Sequence, residues 1–483
     1  MAKAKSKKTM ERQAPYKVTN SKTQKRKPAK GGKKAAETRA KARSKPPKAD
    51  HPLAMRSSRP DINAEPTRAS EPGHVLVFGS SDCGQLGLGD EILQRKKPYP
   101  LRVLDDEQIV DIAAGGLHNM ALTADGRLFS WGCNDQRALG RDGDETTPAE
   151  IKLDAKGKPV RFIKVACGDS VTVALTDHGV YSWGTYRSSE GLLGFNLHQE
   201  IQPVPNLVEG IYEEVVDIAV GADHVLALTK QGELLGWGNG QQHQLGRRII
   251  ERRKKNGLRP IKLGLKHVVK IGAGSYHSFA VTQDGQLYAW GLNNFHQCGV
   301  ASEDGGDEPV VPLPTPITSL KDVRIQQVVG GEHHSLVLSD DGAVYAFGRS
   351  DSHQTGLPYT TLPEDVQALD TKREEAKREA KTLGKPFDET LFASHKKAIS
   401  KPTRLPNCPA FVTVACGSNH NIGLTKDGDI YSWGYGDMLA LGNGEEEDEE
   451  TPTLVEGKRL EDTKVTRIAA GGQHSALLVR PAN

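Results

Sequence analysis

The chain has 483 residues, 51 of them glycine, only 5% aromatic residues and a formal net charge of +3. The absence of an 18-residue apolar run or an N-terminal apolar segment argues against a membrane-spanning helix and a secretory leader. The 6 scattered cysteines (Cys83, Cys133, Cys167, Cys298, Cys408, Cys416), with no CxxC pair, argue against a zinc site or disulfide framework and for a reduced, intracellular protein.

The charge is uneven: residues 1–72 hold 21 Lys/Arg against 6 Asp/Glu, and the other 411 residues hold 43 against 55. A basic tail suits a polyanion, and an acidic body suits a basic partner. Residues 1–50, rich in Lys, Ala, Ser and Pro, carry too few apolar side chains to offset the entropy of ordering, so a disordered tail is expected. Within it, Lys25, Arg26 and Lys27 followed by Lys33 and Lys34 have the composition of a nuclear import signal, and the cation density suits DNA phosphates. Residues 51–72 read as a Pro-rich linker.

From residue 75 the chain repeats itself. A half-unit, VLVFGSSDCGQLG (75–87), comes first. Six full units follow at 112–140, 165–194, 218–246, 271–299, 328–356 and 414–442, and a second half-unit, IAAGGQHSALLV (468–479), ends the series. The early glycine recurs at Gly115, Gly168, Gly221, Gly274, Gly331, Gly417 and Gly471, with four of the intervals lying between 53 and 54 residues. Strand-length apolar runs alternate with turn signals such as Asp125-Gly126, Asp284-Gly285, Asp341-Gly342 and Asp427-Gly428. Units of about four strands repeated radially predict an all-β, seven-bladed β-propeller over 73–483, closed by pairing of N- and C-terminal strands. The longest interval, 86 residues, contains an inserted segment, 357–402, whose stretch TKREEAKREAK predicts a partly helical excursion.

Recurring residues have bland explanations first. His118, His224, His277, His334, His420 and His474 follow the early glycine by three positions, with Val171 in the one remaining unit, 165–194. Distributed around a ring they do not converge as metal ligands, so buried, hydrogen-bonded rings are expected. Trp131, Trp183, Trp237, Trp290 and Trp433 share one register and read as core. The acidic run Glu445–Glu450 reads as a solvated loop. No nucleophile, acid/base pair or metal cluster stands out, which predicts neither covalent chemistry nor a cofactor.

The repeat units, together with SSDCGQLGLGDEILQRKKP (80–98), CNDQRALGRD (133–142) and AAGGQHSALLV (469–479), resemble the regulator of chromosome condensation family from residue 73 onward. The resemblance implies a guanine nucleotide exchange factor for the small GTPase Ran, acting on chromatin in the nucleus, with an import receptor as a further partner and no membrane. It places Asp82, Asp169, Asp223, Arg187, Arg247, His333 and His474 on the Ran-facing side. Tyr186, Arg187, Ser188, Ser189, Glu190 and Gly191 match the family's wedge, though Ser-Ser-Glu departs from its acidic and amide residues. Arg252, Arg253 and Arg259, in the basic loop 247–260, are candidates for docking on the histone acidic patch of the nucleosome. A propeller scaffold binding another protein without exchange activity is the alternative.

Overall fold

The computed structural model describes residues 60–155, 158–361, 364–387 and 397–482. Within them the strands form seven four-stranded antiparallel sheets. Blade one comprises Ile109–Ala114, His118–Thr123, Leu128–Gly132 and Ala149–Glu150. Blades two to six begin at Phe162, Val215, Val268, Ile325 and Phe411. The closing blade joins Thr463–Ala470 and His474–Pro481 to His74–Ser80 and Gln94–Pro100. His74 pairs with Val479 and Gly79 with His474, so both ends of the ring meet within one sheet, as the half-units predicted.

In six of the blades the second strand is buried along its whole length, as in His118–Thr123 and His334–Ser339, and in the closing blade only its last two residues emerge. It has a strand on either side and a neighbouring blade on each face, which explains near-continuous apolar runs in place of alternation. The first strands line a central channel of about 370 Å³ with small residues such as Ala113, Ala166, Ala273 and Ala470. The blades meet there through their early glycines. A Cβ on Gly168 would stand 2.6 Å from the Gly221 carbonyl, and one on Gly471 2.6 Å from the Gly115 carbonyl, so only glycine lets the blades approach this closely.

The recurring histidines tie neighbouring blades together. Nε2 of His118, His224, His277, His334, His420 and His474 lies 2.7–2.9 Å from Thr172, Ser278, Ser335, Asn421, Ser475 and Asn119 respectively, each in the next blade. Those side chains in turn donate to backbone carbonyls of the histidine's own blade, as Thr172 does to Ala138 and Ser278 to Gln244. A hydroxyl whose proton is already spent can only accept from the ring, so the rings carry their proton on Nε2. Burial pushes their pKa values down, to about 4 for His118 and about 3 for His224, and keeps them neutral.

Two boundaries differ from expectation. Residues 60–72 are not a free linker but lie along the face formed by the hairpin turns. Asn63 Nδ2 donates to the carbonyls of Thr229 and Val268, Arg68 to those of Phe162 and Ala124, and Arg480 pairs with Glu71. Much of this anchoring is polar, with Ala69 packed on the core beside it, and hydrophobic patterning does not reveal the hydrogen bonds. The insertion holds a helix, Glu364–Thr382, but its last residues belong to the blade: Ala398–Arg404 is the fourth strand of blade five, pairing Ala398 with Arg349. The expected disordered tail, with Lys25, Arg26, Lys27, Lys33 and Lys34, lies outside the described residues. Among the described residues no helix is long and apolar enough to cross a membrane, and no cluster of His, Cys, Asp and Glu is arranged to hold a metal.

Candidate protein-docking face

Loops after the first and third strands of every blade open on one face, opposite the hairpin turns. At the channel mouth they enclose a cavity of about 520 Å³, lined by Asp135, Asp169, Arg187, Glu332, Tyr435 and Asp437 among others. Four carboxylates thus share the mouth with one guanidinium.

The blade-two loop here is a small hairpin, Tyr186–Ser188 with Gly191–Gly194, pairing Arg187 with Leu192 and Ser188 with Gly191. Gly191 has φ 111°, a conformation that leaves the tip to Ser189 and Glu190. The hairpin is braced from every side. The Tyr186 hydroxyl accepts from Trp237 Nε1 at 2.7 Å, and Asp223 Oδ1 accepts from the Arg187 backbone N–H at 2.6 Å. Gln241 Oε1 accepts from Ser189 N–H at 3.1 Å, and Lys254 Nζ pairs with Glu190 at 2.5 Å. The polypeptide is therefore presented as a rigid projection.

Its location coincides with the one gap in the histidine series. Val171 replaces histidine in blade two, and the residue it would have bonded in blade three is Val225, also apolar and fully buried. Trp131, Trp183 and Trp290 donate to a backbone carbonyl of the preceding blade's loop, whereas Trp237 donates to the Tyr186 hydroxyl. One junction of the ring has been rebuilt around the hairpin.

The electrostatics of the mouth favour a cation. Asp169 is raised by desolvation and then by Glu332, with Arg187 opposing. Asp223 is pushed up to about 7, by desolvation first and then by Asp169, against the Arg187 N–H bond and the Arg187 charge. Tyr276 is pushed up to about 12 by burial beside Asp169, Glu332 and Asp223. Carboxylates held in this way gain from an incoming positive group that restores their ionised form.

The expected contact residues divide. Asp169, Arg187, Asp223 and His333 gather around the mouth. His333 packs against Phe295 and Tyr276, ring centroids 5.0 and 5.9 Å away, with Nε2 3.7 Å from Glu332. Asp82 is exposed on the closing blade's loop of the same face. Arg247 is half-buried, its Nη2 3.4 Å from the Arg259 carbonyl, and burial lowers its pKa. His474 is corrected: it is 0% exposed and bonded to Asn119, a strut between blades that no partner can touch. Its shared register with the other five histidines outweighs the family match. Glu332, Asp135, Tyr276 and Asp437 were not anticipated. Glu332 was legible, because it follows its early glycine as Asp169 follows Gly168, and that register position faces the mouth.

The basic loop packs beside the hairpin rather than apart from it. Its helical turn Glu251–Leu258 reaches Gln241 through Glu251 at 3.0 Å, and Arg252, Arg253 and Arg259 are all exposed.

A seven-bladed ring with a braced hairpin over an acidic mouth defines a protein-binding propeller. The family model described as RCC1-like domain matches residues 74–477, and the chain belongs to that family. Guanine nucleotide exchange factor SRM1 of Saccharomyces cerevisiae is 36% identical, covering 84% of this chain and 87% of its own length. The human Regulator of chromosome condensation is 34% identical, covering 86% and 92%. The solved structure of S. cerevisiae Prp20p, described with its binding properties to Gsp1p and histones, superimposes with TM-score 0.77 at 35% identity over 87% of this chain and 95% of that one. Yeast RCC1 (Prp20) has also been solved bound to Kap60.

Proposed function

We propose that this chain is a guanine nucleotide exchange factor for the GTPase Ran, working in the nucleus while held on chromatin. The observation that carries the reading is the braced hairpin over the acidic mouth, in a chain related along nearly its full length to an exchange factor.

Exchange operates by linkage. A protein that binds the nucleotide-free GTPase better than the loaded form weakens the nucleotide by the same factor. The carboxylates Asp169, Asp223 and Glu332 supply charge for basic side chains of Ran. The Arg187–Gly191 hairpin supplies a rigid projection that enters the phosphate-binding region and displaces the groups holding phosphate and Mg²⁺. Rigidity matters, because a flexible loop would be pushed aside instead of displacing ligands. The work is conformational: no bond of the nucleotide is made or broken, and the protein needs no cofactor of its own.

Chromatin is held by two devices on this reading. The basic tail neutralises DNA phosphates, and an arginine among Arg252, Arg253 and Arg259 pairs with acidic histone side chains. An import receptor takes the cluster Lys25–Lys34. The deciding experiment is release of a fluorescent guanine nucleotide from purified Ran. Catalytic amounts of this protein should accelerate release by orders of magnitude. Release at the intrinsic rate would replace the exchange reading with that of a scaffold.

A further inference from the structure

Two devices recur at six of the seven junctions between blades. One is the histidine strut. The other is a left-handed glycine in the loop after the third strand, seated on the aromatic ring of the next blade. A Cβ on Gly140 would stand 2.7 Å from the Trp183 indole nitrogen, and one on Gly356 equally close to that of Trp433. The junction between blades two and three has neither. Val171 and Val225 occupy the strut positions, and a Cβ on Gly194 would meet nothing nearer than 3.4 Å. Its turn end is open too. Phe162 N–H donates to the Gly126 carbonyl at 2.9 Å to join blades one and two, and Val268 N–H to the Gly232 carbonyl at 3.0 Å to join blades three and four. The turn of blade two is one residue shorter, and among the described residues Val215 makes no matching bond. Near the channel, Asp169 N–H to the Ala222 carbonyl at 2.9 Å and the pair Lys164–Asp217 do join blades two and three.

The hairpin stands on this junction. It grows from blade two, yet Asp223, Trp237, Gln241 and Lys254, which brace it, all belong to blade three. Its posture therefore follows the angle between those two blades.

On the opposite face a short strap straddles the same junction. Ile62 and Asn63 donate backbone N–H groups to the Lys230 carbonyl at 2.9 and 3.0 Å. Asn63 Nδ2 reaches the carbonyls of Thr229 in blade three and Val268 in blade four at 2.9 and 3.0 Å. Arg68 reaches those of Ala124 in blade one and Phe162 in blade two at 2.9 and 2.7 Å. The two anchors thus sit on the junctions that flank the open one. Five peptide units separate Asn63 from Arg68, and Pro66 among them restricts their backbone. Fully extended they span at most about 18 Å. A strap of that length acts on the opened state, limiting how far the blades can part, as any short cross-link does.

We propose that Asn63 and Arg68 are positioning residues for the hairpin: the strap between them is a tether that keeps blades two and three in register and so fixes the hairpin's posture. The consequence for nucleotide release rests on the exchange reading; the tether itself does not.

Hydrogen exchange read by mass spectrometry on the full chain tests the tether. The amides of Asp169, Arg187 and Ser189 donate across the junction of blades two and three. Those of Ser275 and Glu332, which donate to Gly331 and Ser418 at 2.9 Å, cross the next two junctions beyond blade four and are the controls. In the double variant Asn63→Ala, Arg68→Ala the first three should exchange about ten-fold faster, the worth of one to two neutral hydrogen bonds, with the controls unchanged. Inserting Gly-Ser-Gly-Ser between Pro66 and Thr67 keeps both anchors and only lengthens the tether. It should loosen the same three amides without loosening that of Val268, and it carries the test if the double variant fails to fold. Both variants should lower the maximal rate of nucleotide release from Ran about three- to ten-fold and shift the half-maximal Ran concentration less than about two-fold. A parent inert toward Ran would remove the exchange reading and leave the tether to the hydrogen-exchange result. Unchanged exchange at the three amides, an equal gain at Ser275 and Glu332, no effect of the insertion, or undiminished release by variants that loosen the hairpin would overturn the proposal.

Discussion

Asp223 is where one side chain does two things that pull against each other. Its carboxylate holds the hairpin through the Arg187 N–H, yet its surroundings raise its pKa to about 7. A carboxyl with a folded pKa above its ordinary value stabilises the protein most when protonated. That contribution is complete at low pH and is lost as pH rises through about 7. Asp223→Asn keeps an acceptor for Arg187 and removes the charge. It should therefore melt higher than the parent at pH 8, with the difference vanishing near pH 4. On the exchange reading it should also slow Ran nucleotide release at least ten-fold, because truncating a partner of a close charge pair costs about 2–5 kcal/mol. A lower melting temperature at pH 8 would show that the ionised carboxylate is part of the fold rather than held in readiness. His474 teaches the converse lesson: a functional match was outranked by the register it shares with five buried rings.

The hairpin and the basic loop form a neighbouring pair, joined by Lys254 to Glu190 and by Gln241 to Ser189 and Glu251. Arg187 is exposed at the hairpin and makes no contribution to blade packing. Arg187→Ala should accordingly lower the maximal rate of nucleotide release more than it raises the Ran concentration for half-maximal rate, measured by steady-state exchange with a melt as control. Replacing Arg252, Arg253 and Arg259 together with Ala should weaken nucleosome binding several-fold and leave naked-DNA affinity little changed, read by mobility shift on both. Equal losses would make the loop a phosphate binder. Because this loop braces the hairpin, the triple variant should be assayed for exchange as well. Lys254 is left in place so that the Glu190 contact survives.

Across the whole molecule, stability depends on closing the circle. The closing blade takes two strands from each end of the chain, and backbone bonds continue around the mouth, such as Asp169 N–H to Ala222 and Gly472 N–H to Gly116, both 2.9 Å. Deleting residues 466–483 removes two strands from one sheet and leaves the blades on either side uncovered. The variant should lose its cooperative melt entirely; an unchanged transition would mean that the ring does not depend on closure. The basic tail acts on another quantity. Removing residues 1–50 should flatten the dependence of log DNA affinity on log salt, since each neutralised phosphate adds close to one to that slope, while release from free Ran stays at the parental rate.

The amino-acid sequence by itself determined the ring. Glycines at Gly115, Gly221 and Gly274, with their histidines three residues later, fix blade number and register because each blade must satisfy the same close approach to its neighbour. The split unit fixed the closure, and the Val171 exception was visible too, although its pairing with Val225 has meaning only when blades two and three stand side by side. The assembly of the mouth was beyond reach. Asp135, Asp169, Glu332 and Asp437 are scattered over some 300 residues of chain, and only the circular stacking of blades brings their carboxylates to one opening. Likewise no local pattern announces that Asn63 and Arg68 clasp distant carbonyls, or that the arginines of 247–260 stand beside the hairpin. Repetition encodes the scaffold because every blade solves the same packing problem; the site lies in loops, where hydrogen bonds and charges are set by neighbours distant in sequence, and there the tertiary structure alone decided.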